Sequence, residues 1–110
     1  MGIEAIEQLL RENQAVTLRE RRSVDRKPFT RPLKVVLNRD QGIVHEAFSR
    51  DISSRGIGMI SRHEFQPNTM ATIQIHTLNG EHIALRAQVR WCQPYGEGWF
   101  ASGWIFRSSP

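Results

Sequence analysis

The sequence predicts an all-β domain, an antiparallel barrel or sandwich of six or so short strands, preceded by a short helix. Three observations carry this. Apolar residues recur with a period of two through the C-terminal two thirds of the chain, the runs are short, and turn-forming residues separate them. Leu33, Val35 and Leu37 alternate with polar or smaller neighbours, and Ile73 and Ile75 alternate with Thr72, Gln74 and His76. The longest alternation is Ile83, Leu85, Ala87, Val89 and Trp91, interleaved with Arg86, Gln88 and Arg90. In the last run Phe100, Trp104 and Phe106 share a face around the small residues Ala101 and Gly103. Trp99 and Trp104 read as core or barrel rim.

Turns are expected at Arg39-Asp40-Gln41-Gly42, Gln66-Pro67-Asn68, Asn79-Gly80 and Pro94-Tyr95-Gly96-Glu97-Gly98. Asn79-Gly80 is a hairpin signal because both residue types tolerate positive φ. Upstream, Ile3, Ile6 and Leu10 fall on one helical stripe. Glu4 and Glu7 stand early and Arg11 late, as the helix dipole prefers, and Glu7 and Arg11 form an i,i+4 pair. A helix this short must dock on something. Its own domain is the first expectation, and a homodimer through this helix is the second. The organisation expected is an N-terminal helical segment over 1–18 and a barrel domain over 19–110, with an arginine-rich loop at 19–31.

Composition excludes several classes. With 110 residues the chain is long enough to bury a core without metal or disulfide support. The single cysteine, Cys92, rules out an internal disulfide framework and points to a reducing, cytoplasmic setting. No apolar run is long enough to cross a bilayer as a helix, so membrane insertion is not expected. The net charge of +4 is local. Between Arg19 and Lys34, seven cations face two anions, +5 in all, which leaves the other 94 residues at −1. One basic segment on a near-neutral body suits a compact polyanion held at one place. Pro28 and Pro32 push Lys27 and Arg31 toward extended backbone, so this segment should lead into a strand.

The four histidines lack zinc-ligand spacing, Cys92 has no base placed near it by sequence, and neither an elbow nor an oxyanion-hole motif accompanies Asp51 and Ser53. No enzyme is expected, and no metal or cofactor. The competing reading is a small β-barrel that binds nucleic acid through an arginine-rich arm. The neutral body argues against it, because such proteins spread basic and aromatic residues over a sheet face.

Two clusters remain. Arg22-Ser23-Val24-Asp25-Arg26 follows Arg21, and Asp51-Ile52-Ser53-Ser54-Arg55-Gly56 forms a turn between two expected strands. Together they resemble the PilZ family, whose signature is an Arg-x-x-x-Arg loop followed by an Asp/Asn-x-Ser-x-x-Gly turn. Arg22 and Arg26 match the first element, and Asp51, Ser53 and Gly56 the second. Ala87 to Trp91 and Gly98 to Phe106 resemble the family's closing strands, so the similarity spans about residues 19–107.

The resemblance implies a six-stranded barrel and a bound cyclic di-GMP, a ligand with two phosphates and two guanines. A guanidinium can fork onto guanine O6 and N7 or onto phosphate, or stack on a base. Asp51 can accept from a guanine edge or orient an arginine, and Ser53 offers a hydroxyl. Gly56 allows close backbone approach or positive φ. Trp91 stands where many members carry a residue that borders the ligand, although its place in an alternating strand also suits the core. Arg21 adds a third guanidinium and raises the expectation of two stacked ligand molecules. The loop 19–31 is expected to be mobile and to order over the ligand, signalling to a partner protein or adjoining domain.

Overall fold

The computed structural model describes residues 27–40 and 42–108. The expected N-terminal helix, the segment 1–18 and the arginines Arg21, Arg22 and Arg26 lie outside the described residues. The strands are β1 (Lys27–Pro28), β2 (Pro32–Leu37), β3 (Val44–Ile52), β4 (Gly56–Ser61), β5 (Met70–His76), β6 (His82–Gly96) and β7 (Trp99–Phe106). All pairings are antiparallel. The order β3-β2-β5-β6-β7-β4 closes through β4 on β3 into a six-stranded barrel, and the two-residue β1 pairs with β3 on the edge that β2 occupies, beyond the end of β2.

The period-two runs supply the inside of this barrel. Leu33, Val35, Ile73, Ile75, Leu85, Ala87 and Val89 are buried, as are Ile52, Ile57, Met59 and Phe65. Trp104 is buried with them and meets Phe65 edge to face, with ring centroids 5.1 Å apart. Each Val, Leu, Ile, Met or Phe side chain among them contributes roughly 1.5–3 kcal/mol when removed from water. The Trp104 indole N–H donates to the Ser102 hydroxyl at 2.9 Å, so the one polar atom of that ring is satisfied inside.

Two expected boundaries move. Pro94, Tyr95 and Gly96 belong to β6, and the turn contracts to Glu97 and Gly98, both with positive φ (51° and 85°). Proline is tolerated there because β5 leaves β6 at Gln88, the partner of Met70. Beyond it the free side of β6 needs no N–H donor from Pro94. The resulting β6–β7 hairpin projects past the end of β5.

Residues 27–31, the end of the segment expected to be mobile, are hydrogen-bonded and packed against the barrel. Phe29 is buried, and its N–H donates to the Arg50 carbonyl at 2.8 Å. The buried Ser49 hydroxyl donates to the Phe29 carbonyl and accepts from the Arg31 N–H at 2.8 Å. The Ser49 N–H donates to the Arg31 carbonyl at 2.9 Å. One buried aromatic and one buried hydroxyl therefore hold the lead-in strand in place, features that a charge count of this segment hides.

Candidate ligand-binding face

The alternation of β3 predicts that Asp51 follows Ala47 and Ser49 inward. It does not, because Arg50 is an extra residue in the β3–β4 ladder. Ser49 pairs with Met59, but Asp51 already pairs with Gly58. A bulge of this kind exchanges the two faces of everything downstream. Ile52 now points into the core and Asp51 points out.

The same device acts on β6. Val89 pairs with Trp104 and Trp91 with Gly103, with Arg90 as the extra residue. Val89 is buried with Trp104, whereas Trp91 stands outside, 44% exposed. The core reading of Trp91 is thereby corrected: the bulge, and not the residue type, decides its side.

The two displaced residues are joined by a single cross-strand row. Asp51 pairs with Gly58, Gly58 with Gly103, and Gly103 with Trp91. Ile57 and Met59 are buried on either side of Gly58, and Ser102 and Trp104 on either side of Gly103, so both glycines face outward. Neither has a side chain to stand up from the sheet, and their neighbours fold over them. A Cβ built on Gly58 would lie 2.6 Å from Asp51 Oδ1, and one built on Gly103 would lie 2.3 Å from Trp91 Nε1. The row is a shallow floor with a carboxylate at one end and an indole at the other. Isolated glycines inside strands signal close approach of this sort, and Gly58 and Gly103 could have been found on that ground.

The Asp-x-Ser-x-x-Gly turn is built from inside. Ser53 is buried, and its Oγ accepts from the N–H groups of Arg55 at 3.1 Å and Gly56 at 3.2 Å. Its N–H donates to the Gly56 carbonyl at 2.9 Å. The oxygen is thus committed to shaping the turn, and its O–H remains a donor. Gly56 lies against β7: an added Cβ would come 2.1 Å from the Trp104 carbonyl oxygen. Of the two reasons for a glycine here, close backbone approach is the operative one, and its φ lies outside the left-handed range.

β1 brings the upstream chain to this row. Lys27 pairs with Ile52 and Pro28 with Asp51. Arg21, Arg22 and Arg26 precede this pairing in the chain and fall outside the described residues.

Elsewhere the chemistry is quiet. Among the described residues, no three metal-ligating side chains cluster. Burial pushes the Cys92 thiol up, further from the thiolate that a nucleophile needs. Among the described residues, no helix is long and apolar enough to cross a membrane.

The described residues form a small all-β domain, a closed six-stranded antiparallel barrel with an outward row running from Asp51 to Trp91. The chain belongs to the PilZ domain family, whose profile it matches over residues 20–107. The match points to no catalytic family. Among solved structures, the chain is similar to the PilZ domain of CeSA from a cellulose-synthesizing bacterium. The TM-score is 0.60 at 21% identity, over 79% of this chain and 84% of that one, and the likeness is one of fold. A comparison with curated proteins gives no match.

Proposed function

We propose that this domain is a receptor for cyclic di-GMP that binds the nucleotide without altering it. The observation that carries this reading is the β1–β3 pairing. It joins the arginine-bearing chain to the barrel next to Asp51, at one end of the row that Trp91 closes. Arg22 and Arg26 supply guanidinium forks for phosphate or guanine, and Asp51 accepts from a guanine edge or orients one of the forks. The Trp91 indole offers a flat apolar surface to a purine. Ser53 and Gly56 contribute mainly by shaping the turn that presents Asp51, with the Ser53 O–H as a further donor. No cofactor is needed, because no bond of the ligand changes.

Signalling follows from the same arrangement. Residues 27–31 pack against the barrel, so ligand capture draws residues 19–26 toward it and changes what the domain presents to a partner or adjoining domain. A cytoplasmic setting, where the nucleotide is made and a lone thiol stays reduced, fits this role.

The test is calorimetric titration of the full chain with cyclic di-GMP, with GTP and a short oligonucleotide as controls. Binding selective for cyclic di-GMP is expected, weakened roughly ten- to a hundredfold by Arg22→Ala or Asp51→Ala. No heat from a protein with a folded β spectrum rejects the reading. Preference for the oligonucleotide with a steep salt slope replaces it with nucleic-acid binding.

A further inference from the structure

Beside the glycine row the projecting β6–β7 hairpin leaves a groove of about 460 Å³, lined by Phe48, Ile60, Tyr95, Gly96, Glu97 and Trp99. Phe48 is 49% exposed and Tyr95 54%. Neighbouring aromatic side chains left this open on a sheet face mark a surface that something covers. Two arginines flank the groove, stacked on its walls. The Arg50 guanidinium carbon lies 5.5 Å from the Tyr95 ring centre, and that of Arg62 lies 4.3 Å from the Trp99 ring centre. Among the described residues, neither has an ion-pair partner. Glu97 is the one acid in the lining, so with the two arginines the rim carries a net +1, and the groove asks for an apolar ridge bordered by carboxylates.

We propose that the occupant is this chain's own residues 3–10, docked with Ile3, Ile6 and Leu10 in the groove and Glu4 and Glu7 facing Arg50 and Arg62. Segment 1–18 carries Glu4, Glu7 and Glu12 against Arg11 alone, whereas residues 19–26 are basic and are repelled by the same arginines. Ile3 to Leu10 as a helix spans about 10 Å, a length suited to a groove bounded by a few strands. Reach is not limiting. Sixteen residues lie between Leu10 and Lys27, enough to extend about 50 Å. From Ile52, where Lys27 pairs, back along β3 to Phe48 is only about 13 Å. The docking is independent of nucleotide, so its failure leaves the receptor reading untouched.

Amide exchange on the dilute 110-residue chain without nucleotide tests it. In the wild type, amides of residues 3–10 are expected to exchange about tenfold more slowly than in the Arg50→Glu/Arg62→Glu variant. Both arginines are exposed, so that variant should keep the barrel, which exchange in β2 and β5 monitors. Adding Glu4→Arg/Glu7→Arg should restore the protection, an outcome that general destabilisation cannot produce. Equal exchange in the wild type and the double variant overturns the proposal. So does protection that appears only as concentration rises and a dimer forms by size exclusion, which assigns the groove to a second copy's segment.

Discussion

The Trp91 indole lies across Gly103, close enough that a methyl group on that glycine would occupy the space of Nε1, Cε2 and Cζ2. This contact spans two strands and makes the position of an exposed aromatic depend on the absence of a side chain in its neighbour. Gly103→Ala should therefore act on the site more than on the fold. The clashing atoms belong to a half-exposed side chain that can swing outward, so the loss of stability should stay below about 1.5 kcal/mol. The indole is lifted from the sheet, and cyclic di-GMP affinity should fall about tenfold, as base stacking is lost. Denaturant midpoints and calorimetry on the same preparation check both halves. Wild-type affinity in a folded Gly103→Ala would remove Trp91 from the site.

Gly56 and Gly58 stand two residues apart and should respond differently to alanine. At Gly56 the new methyl meets the Trp104 carbonyl, part of the β4–β7 ladder. The strands must part, at a cost of roughly 2–4 kcal/mol. At Gly58 it meets only the Asp51 carboxylate, which can rotate away. Gly58→Ala should cost about 1 kcal/mol or less and weaken ligand binding instead. Urea unfolding of the two variants, followed by titration of Gly58→Ala, gives the comparison.

His63 supplies a pH dependence. Burial lowers its pKa, the neighbouring His45 lowers it further, and Glu64 partly opposes both. The two rings lie 3.9 Å apart, and His63 also meets Phe65. A histidine depressed in the folded state binds fewer protons there than in the unfolded chain. Its contribution to stability is thus complete above the unfolded value, about 6.5, and is lost as pH falls below it. The urea midpoint should drop between pH 7.5 and 5.5, and His45→Gln should shrink the drop by removing the facing charge. An identical drop in both proteins would assign it to other groups.

Stoichiometry tests Arg21. One cyclic di-GMP presents two phosphates and two guanine edges, which Arg22, Arg26, Asp51 and the Ser53 hydroxyl can largely serve. A third guanidinium suits a second, stacked nucleotide. Titration should give two ligands per chain in the wild type, falling toward one in Arg21→Ala. A ratio of one in both leaves Arg21 without that role.

Much of this could be read along the chain, because alternation is a local property. Leu33 and Val35, Ile73 and Ile75, and Ile83 through Val89 point inward in the barrel as period two requires. The Asp51–Gly56 turn falls between two strands as its residue types require. Alternation carries no information about where it slips. Extra residues at Arg50 and Arg90 reverse the faces of Asp51 and Trp91, and only the ladders opposite them, Met59–Gly58 and Trp104–Gly103, reveal the slip. The neighbours in the candidate site come from β3, β4, β7 and β6, and the groove beside it draws Phe48 and Tyr95 together across 46 intervening residues. The sequence by itself determined the fold class, the inward set and the two motifs, since each depends on residues a few positions apart. Barrel closure decided which motif residues face outward and what lies next to them, because a pairing register between distant strands is set by both partners at once.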